Sequence, residues 1–188
     1  MKSAPATWVV ITIAIVGLAV CQSPNLAYPQ QPEAAKVNWA IYFSPRGGST
    51  EAIVTALKGA RTIILVQAYS FTSAPIAKAL VDAHKRGVKV EVILDKSQRT
   101  EKYSSADFLA HAGIPARIDA AHAIAHNKIM VIDAETVITG SFNFTKAAEE
   151  RNAENLLVIH DRTLAARYEA NWQVHKAHSE PYAGKGQQ

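Results

Sequence analysis

Strand-length apolar runs alternate with helix-length amphipathic segments along most of this chain. Residues 62–70 are predicted to form a buried strand, residues 73–86 a helix that stops before Gly87, and residues 88–94 the next strand. The same reasoning predicts strands at 37–43, 125–132, 136–140 and 155–160, and helices at 49–60, 105–112 and 162–177. Such alternation is typical of helices that cover a central sheet. The sequence therefore predicts an α/β layered sandwich with a mixed, mostly parallel central sheet flanked by helices.

The N-terminal residues have the composition of an export signal. Lys2 precedes an apolar run, residues 8–21, which is shorter than the roughly 20 residues that span a membrane. This pattern is typical of a secretory signal peptide and predicts a periplasmic or secreted protein with no membrane association in its mature form. Cys21 is the only cysteine, so an intrachain disulfide is excluded. The predicted organisation is a signal peptide at 1–22, a Pro-, Gln- and Ala-rich linker at 23–36, one domain at 37–180 and a flexible tail at 181–188.

The polar residues with most chemical content lie in the second half of the chain. His126, Lys128 and Asp133 form a His-x-Lys-x4-Asp pattern, and Gly-Ser-x-Asn follows at 140–143. Strand residues two apart project to the same face, so His126 and Lys128 are expected to face one reactant together. The apolar residues after Lys128 alternate on both faces, which predicts a strand buried on both sides.

Each of these polar residues also has a simpler structural explanation. His126 could be a core histidine, and Lys128 could be a solvated lysine at a sheet edge. Asp133 precedes Ala-Glu, which is ordinary turn chemistry. Ser141 and Asn143 could cap the helical segment that follows them. The spacing of all five residues nevertheless favours a functional interpretation.

Taken together, the two elements resemble the signature of the phospholipase D superfamily, whose members break or exchange phosphodiester bonds. The signature occurs once, in a chain too short to hold two copies. In this respect the chain resembles the small, secreted, metal-independent bacterial endonucleases of that superfamily, in which two identical chains each supply one motif to a shared site. The resemblance covers residues 37 to 172. It implies a homodimer that hydrolyses nucleic acid, with DNA as the expected substrate and RNA as an alternative.

The resemblance also implies the chemical roles of the motif residues. One copy of His126 is expected to attack phosphorus while the second copy protonates the leaving oxygen. Lys128 and Asn143 would bind the nonbridging oxygens, with Ser141 assisting. These positive and polar groups would neutralise the phosphate without a metal ion.

Two carboxylates complete the expected site. A nucleophilic imidazole needs its second nitrogen held, and family members use a downstream carboxylate for this. Glu154, at the start of a predicted strand, is the candidate within residues 149–155. Asp133 belongs to the signature but is expected to anchor the motif rather than contact phosphate.

Charge and histidine spacing bear on partners. A formal net charge of +4 favours a polyanionic partner. Arg46, just before a predicted helix N-terminus, and Arg99 and Lys102, in a polar loop, are candidate phosphate contacts, although that loop could equally be a solvated surface. Among the seven histidines, His122 and His126 are four residues apart, but Lys128 beside them would repel a cation, and His175 and His178 are expected to face solvent. No metal and no cofactor is therefore expected.

Two other functions remain open at this point. A lipid phosphodiesterase or phosphatidyl transferase shares the chemistry but usually carries two motifs per chain. A nucleic-acid-binding subunit with vestigial catalysis is the alternative from a different class, and the intact motif argues against it.

Overall fold

The computed structural model describes residues 38–185, and the predicted signal peptide (1–22) and linker (23–36) lie outside them. The described residues belong to one compact unit. The strands are β1 (Asn38–Ser44), β2 (Ile63–Ala68), β3 (Lys89–Asp95), β4 (Ala116–Asp119), β5 (Lys128–Ile132), β6 (Thr136–Gly140), β7 (Glu154–His160) and β8 (Glu180–Tyr182). The helices are α1 (Ser49–Gly59), α2 (Ala74–Lys85), α3 (Ala106–His111), α4 (Lys146–Glu150) and α5 (Arg162–His178), with a 3₁₀ helix at Lys96–Arg99.

The strands form one mixed sheet in the order β1-β7-β6-β5-β2-β3-β4-β8. This confirms the predicted α/β architecture with a mixed sheet. The expectation of a mostly parallel sheet is wrong, because only β2–β3 and β3–β4 pair in parallel and the other neighbours are antiparallel. The reason is connectivity: helices α2 and α3 return the chain for the parallel pairs, whereas β5 and β6 are joined by a tight turn that reverses direction.

The sheet buries apolar side chains on both faces. Helices α1 to α4 cover one face, and α5 covers part of the other by packing on β2, β4, β5 and β6. Along β5, Met130 and Ile132 enter the first core while Ile129 and Val131 enter the second, which confirms the predicted two-sided burial. Trp172 of α5 is buried, and its indole N–H donates to the carbonyl oxygen of Val66 at 2.9 Å.

The end of the described chain differs from expectation. Residues 181–185 are not a flexible tail, because β8 pairs with β4 and extends the sheet. Tyr182 is buried and its hydroxyl donates to Asp107 of α3 at 2.7 Å, which holds this segment in place. β5 begins at Lys128 rather than at residue 125, because the backbone N–H of Ala125 donates to the Asp95 carboxylate instead of to a strand. None of the helices within residues 38–185 is both long and apolar enough to cross a membrane.

Candidate active site

The motif residues, except Asp133, converge at one end of the sheet. His126 lies two residues before the start of β5, and Ser141 and Asn143 follow β6. Glu154 opens β7, and Tyr69 follows β2. In α/β sheets, sites form beyond the ends of the strands, where the connecting loops bring side chains together, and this end of the sheet is such a place.

His126 is exposed, and its ring packs against the ring of Tyr69. Its ring centroid is 4.7 Å from that of Tyr69, with the ring planes tilted by 58°. Lys128 also contacts Tyr69, with its ammonium 5.1 Å from the ring centroid. The core-histidine explanation is therefore excluded for His126. Tyr69 was not among the sequence candidates, and its signal was its position directly after a strongly predicted buried strand.

Lys128 is buried, with only 6% of its surface exposed. Its ammonium donates to the backbone carbonyl of His126 at 2.8 Å. Burial lowers the pKa of Lys128 below its ordinary value, and the Glu154 carboxylate opposes that shift. A partly desolvated ammonium beside an exposed imidazole is suited to binding an anion, because its charge is weakly screened there.

Glu154 and Ser141 are joined directly. The Ser141 hydroxyl donates to one carboxylate oxygen of Glu154 at 2.6 Å, and Asn152 donates to the other at 3.1 Å. Ser141 in turn accepts from the backbone N–H of Asn155 at 3.1 Å. Within residues 38–185 no hydrogen bond joins Glu154 to the His126 ring. Catalytic hydrogen bonds often tighten only in the substrate complex, so Glu154 stays a candidate partner for the imidazole.

The capping explanation for Ser141 and Asn143 does not hold. Thr145 caps α4, since its hydroxyl accepts from the backbone N–H of Ala148 at 3.1 Å. Asn143 has a buried amide oxygen with no hydrogen-bond partner among the described residues. Unpartnered buried polar atoms are rare and are often found at functional sites.

Asp133 lies at the opposite end of β5 and anchors it, as expected. Its carboxylate accepts from the backbone N–H groups of Arg61, Thr62 and Ile63 and from the Thr62 hydroxyl, all within 3.1 Å. Asp133 and Ala134 both have positive φ, at 53° and 54°, in the tight turn to β6. Asp133 therefore fixes the register of β5 against β2 and, through it, the position of Lys128.

The three candidate phosphate contacts have different surroundings. Arg46 is exposed and follows β1, whose Ser44 pairs with Glu154, so it lies at the active-site end of the sheet. The helix N-terminus beside it does not offer an anion site, because Glu149 already accepts from Gly48 and Thr50 there.

The other two lie in the polar segment after β3. Arg99 is ion-paired with Glu180, which occupies its guanidinium. Lys102 is exposed, with its ammonium 5.4 Å from the ring centroid of Tyr103. Lys102 is therefore the more available cation of this pair.

One histidine cluster was missed by the sequence analysis. His175 does not face solvent as expected: its side chain is 14% exposed and its Nδ1 is 2.7 Å from the Asp119 carboxylate. His122 and His178 surround the same carboxylate. The sequence contains two pairs of potential ligands spaced three residues apart, Asp119 with His122 and His175 with His178. They were missed because the histidines were searched for the His-x3-His spacing instead.

Comparison with known proteins identifies the family. Residues 53–175 match the family described as cardiolipin synthase, PLD-like domain. The chain belongs to the phospholipase D superfamily. It is therefore a phosphodiesterase-type hydrolase of that superfamily, and the sequence resemblance is confirmed.

Relatives of known sequence and structure carry different names. The phospholipase D of Rickettsia typhi is 45% identical over 146 residues, which cover 78% of this chain and 72% of the relative. The mitochondrial cardiolipin hydrolase of Xenopus laevis is 31% identical over 121 residues, which cover 64% of this chain and 58% of the relative. The crystal structure of Nuc, a phospholipase D family member from Salmonella typhimurium, is 39% identical with a TM-score of 0.76, covering 78% of this chain and 99% of that one.

Proposed function

We propose that this protein is an endonuclease that hydrolyses phosphodiester bonds of DNA through a covalent phosphohistidine, at a site shared by two copies of the chain. The observation that carries the proposal is the exposed His126 ring held against Tyr69 beside the buried ammonium of Lys128. This pairing places a nucleophile next to a fixed positive charge. The structural similarity to Nuc, which covers 99% of that chain, supports the nuclease function.

The reaction proceeds in two steps. In the first, a neutral His126 imidazole nitrogen forms a bond to phosphorus and the bond to the leaving oxygen breaks. The partner subunit's His126, in its protonated form, gives that oxygen a proton. In the second step the now neutral imidazole removes a proton from water, which attacks phosphorus and breaks the phosphorus–nitrogen bond. Lys128 stabilises the negative charge on the nonbridging oxygens throughout, with Asn143 as the second ligand.

An apolar strip on the sheet supplies the surface for the second copy. Trp39, Ile41 and Phe43 of β1 are 56%, 41% and 61% exposed, and they lie on the face that α5 leaves uncovered. Their register partners on β7 include Leu157 and Ile159, which are half-buried. The strip ends where Phe43 pairs with Asn155, beside Glu154 and Ser141 of the active site. A two-fold dimer through this strip would cover exposed apolar area and bring both motifs together.

The covalent step can be tested directly. DNA cleavage by the wild type is expected to persist in strong chelator, and a quenched reaction should contain acid-labile, base-stable phosphate on His126. His126→Asn should abolish both signals. His160→Asn is the matched control, because His160 is an exposed histidine whose ring hydrogen-bonds only to Thr136 among the described residues. Phosphate found on Ser141, or normal turnover by His126→Asn, would refute the mechanism.

Phospholipid hydrolysis is the second candidate. It is favoured by the name of the Rickettsia relatives and by a cavity of about 780 Å³ between α2 and α3, whose lining includes Val81, Tyr103 and Phe108. Thr72, three residues after Tyr69, lines the same cavity, so it opens close to the site. A parallel assay on phosphatidylcholine vesicles distinguishes the two substrates. Cleavage of lipid without cleavage of DNA would reassign the substrate, and tight DNA binding without turnover would indicate a vestigial site.

A further inference from the structure

Three imidazoles surround one carboxylate at the end of β4. The nearest oxygen of Asp119 is 2.7 Å from His175 Nδ1, 3.2 Å from His178 Nε2 and 3.8 Å from His122 Nε2. The ring centroids of the three histidines are 5.1 to 5.2 Å from one another. One ligand atom from each of the four side chains lies within 4.8 Å of every other.

From this arrangement we propose that Asp119, His122, His175 and His178 form a zinc site. Three neutral imidazole nitrogens and one carboxylate oxygen are a donor set that suits Zn²⁺, which prefers four ligands in a tetrahedron. Tetrahedral zinc with bonds of about 2.0 Å places its ligand atoms roughly 3.3 Å apart. His175 Nδ1 and the Asp119 oxygen, now 2.7 Å apart, would therefore separate, while the widest pairs would close from at most 4.8 Å. Hydrogen bonding accounts for His175 and His178, but not for His122, whose Nε2 is 3.8 Å from the Asp119 oxygen and so lies beyond hydrogen-bond distance.

The ligands are held by rigid parts of the fold. Asp119 is fully buried at the end of β4, and its second oxygen accepts from the backbone N–H of Ala121 at 3.1 Å. His175 and His178 lie one helical turn apart in the last turn of α5. A ligating carboxylate that is itself oriented by a hydrogen bond is typical of protein metal sites. Because all four positions are filled by protein, the site is expected to be structural rather than catalytic.

The zinc would fix the segment that leads into the active site. His122 lies four residues before His126, between β4 and β5. Two residues, one at the end of β3 and one just after it, also hold this segment. The Lys96 ammonium donates to the His122 carbonyl oxygen at 3.1 Å, and the Asp95 carboxylate accepts from the backbone N–H of Ala125 at 2.7 Å. β4 is three strands from β5, about 14 Å, so the ion would stabilise the segment without contacting the reacting phosphate.

Metal binding by the wild type and three variants tests the proposal. After chelator treatment and desalting, the wild type is expected to take up a single zinc per chain, to melt at a higher temperature with zinc, and to give the intense visible absorption of tetrahedral Co²⁺ when cobalt replaces zinc. His178→Gln and His122→Gln, both at partly exposed positions, should each weaken zinc binding by about tenfold or more while remaining folded without metal.

His111→Gln is the control, because His111 is an exposed histidine on α3 outside the cluster. It should bind zinc like the wild type. The proposal fails if the wild type retains no zinc, if the His178 and His122 variants bind it as tightly as the wild type, or if bound Co²⁺ shows the weak spectrum of octahedral coordination. Nuclease activity is measured separately, so loss of the zinc site and loss of the proposed chemistry are distinguishable.

Discussion

Lys128 is a buried residue whose desolvation costs stability and whose charge faces the phosphate in the proposed mechanism. Its folded-state pKa lies below the unfolded value of 10.5 because burial disfavours the ammonium. The cost is therefore present at neutral pH and disappears as the pH rises through that unfolded value. We expect Lys128→Met to abolish turnover while leaving the free energy of unfolding at neutral pH unchanged or raised by about 1 kcal/mol. Urea denaturation and initial rates measure the two effects. Lys58→Met, at an exposed lysine of α1, should change neither, and a strongly destabilised Lys128→Met would contradict this account.

Tyr69 is predicted to position both catalytic side chains through its ring rather than its hydroxyl. Tyr69→Phe keeps the contacts with His126 and Lys128, so its kcat should remain within a few-fold of the wild type. Tyr69→Ala removes both contacts, and we expect kcat to fall by about a hundredfold with a smaller change in KM. Steady-state kinetics on a DNA substrate provide the measurement, with the exposed Tyr103 changed to Ala as control. Equal losses in the Phe and Ala variants would instead assign the role to the hydroxyl.

At the scale of elements, the β5 strand depends on Asp133. Burial alone would raise the pKa of Asp133, but hydrogen bonds from Thr62, Ile63 and Arg61 outweigh it, so the folded-state pKa lies below the ordinary 3.8. The stabilisation is therefore complete above pH 3.8 and is lost as the pH falls through the lower folded value. Asp133→Asn should lower the free energy of unfolding by about 2 kcal/mol at neutral pH.

The pH series of this variant is the informative measurement. The stability difference between wild type and Asp133→Asn should shrink as the pH falls below 3.8, while the turnover of folded variant at neutral pH stays close to that of wild type. Glu135→Gln, which removes only a surface pair with Arg162, should be nearly neutral. A large loss of kcat in folded Asp133→Asn would give Asp133 a part in the chemistry.

The elements that could be predicted from sequence are those whose own residues carry the signal. β2, β3 and β5 are runs buried on both faces, so their apolar composition alone identifies them. β4 and β8 have four and three residues, and β8 contains Pro181. These short strands exist because of tertiary contacts such as the one between Tyr182 and Asp107, which no local pattern contains. Strand direction was missed for a similar reason, since it depends on connections rather than on strand composition.

For the polar clusters, too, sequence identifies what lies close along the chain and misses what only tertiary contacts bring together. His126, Lys128 and Asn143 are close in sequence and on neighbouring strand ends, so a motif can identify them. The Asp119 cluster joins β4 to the last turn of α5, 56 residues away, and only the fold brings these groups together. Proximity across that distance is set by how α5 packs on the sheet.

At the scale of the whole molecule, the proposed dimer depends on the uncovered apolar strip of β1 and β7. Ile41 lies at its centre, paired with Leu157. Ile41→Glu would place a charge in the interface, and we expect it to give a folded monomer with little activity by sedimentation and rate measurements. Thr55→Glu is the control, since Thr55 is exposed on α1, on the opposite face of the sheet. A dimeric, fully active Ile41→Glu protein would place the interface elsewhere.

Mixing active and inactive chains tests whether the site itself is shared. If each reaction needs one neutral and one protonated His126, a dimer with a single His126→Asn chain is inactive. Coexpression of wild type and His126→Asn chains with different tags, at equal amounts, should then leave about a quarter of the all-wild-type activity, because activity follows the square of the wild-type fraction. Independent sites would leave about half, since activity would then follow the fraction itself. The purified mixed dimer is the sharpest case: measurable turnover by that species would mean that one chain completes the reaction alone.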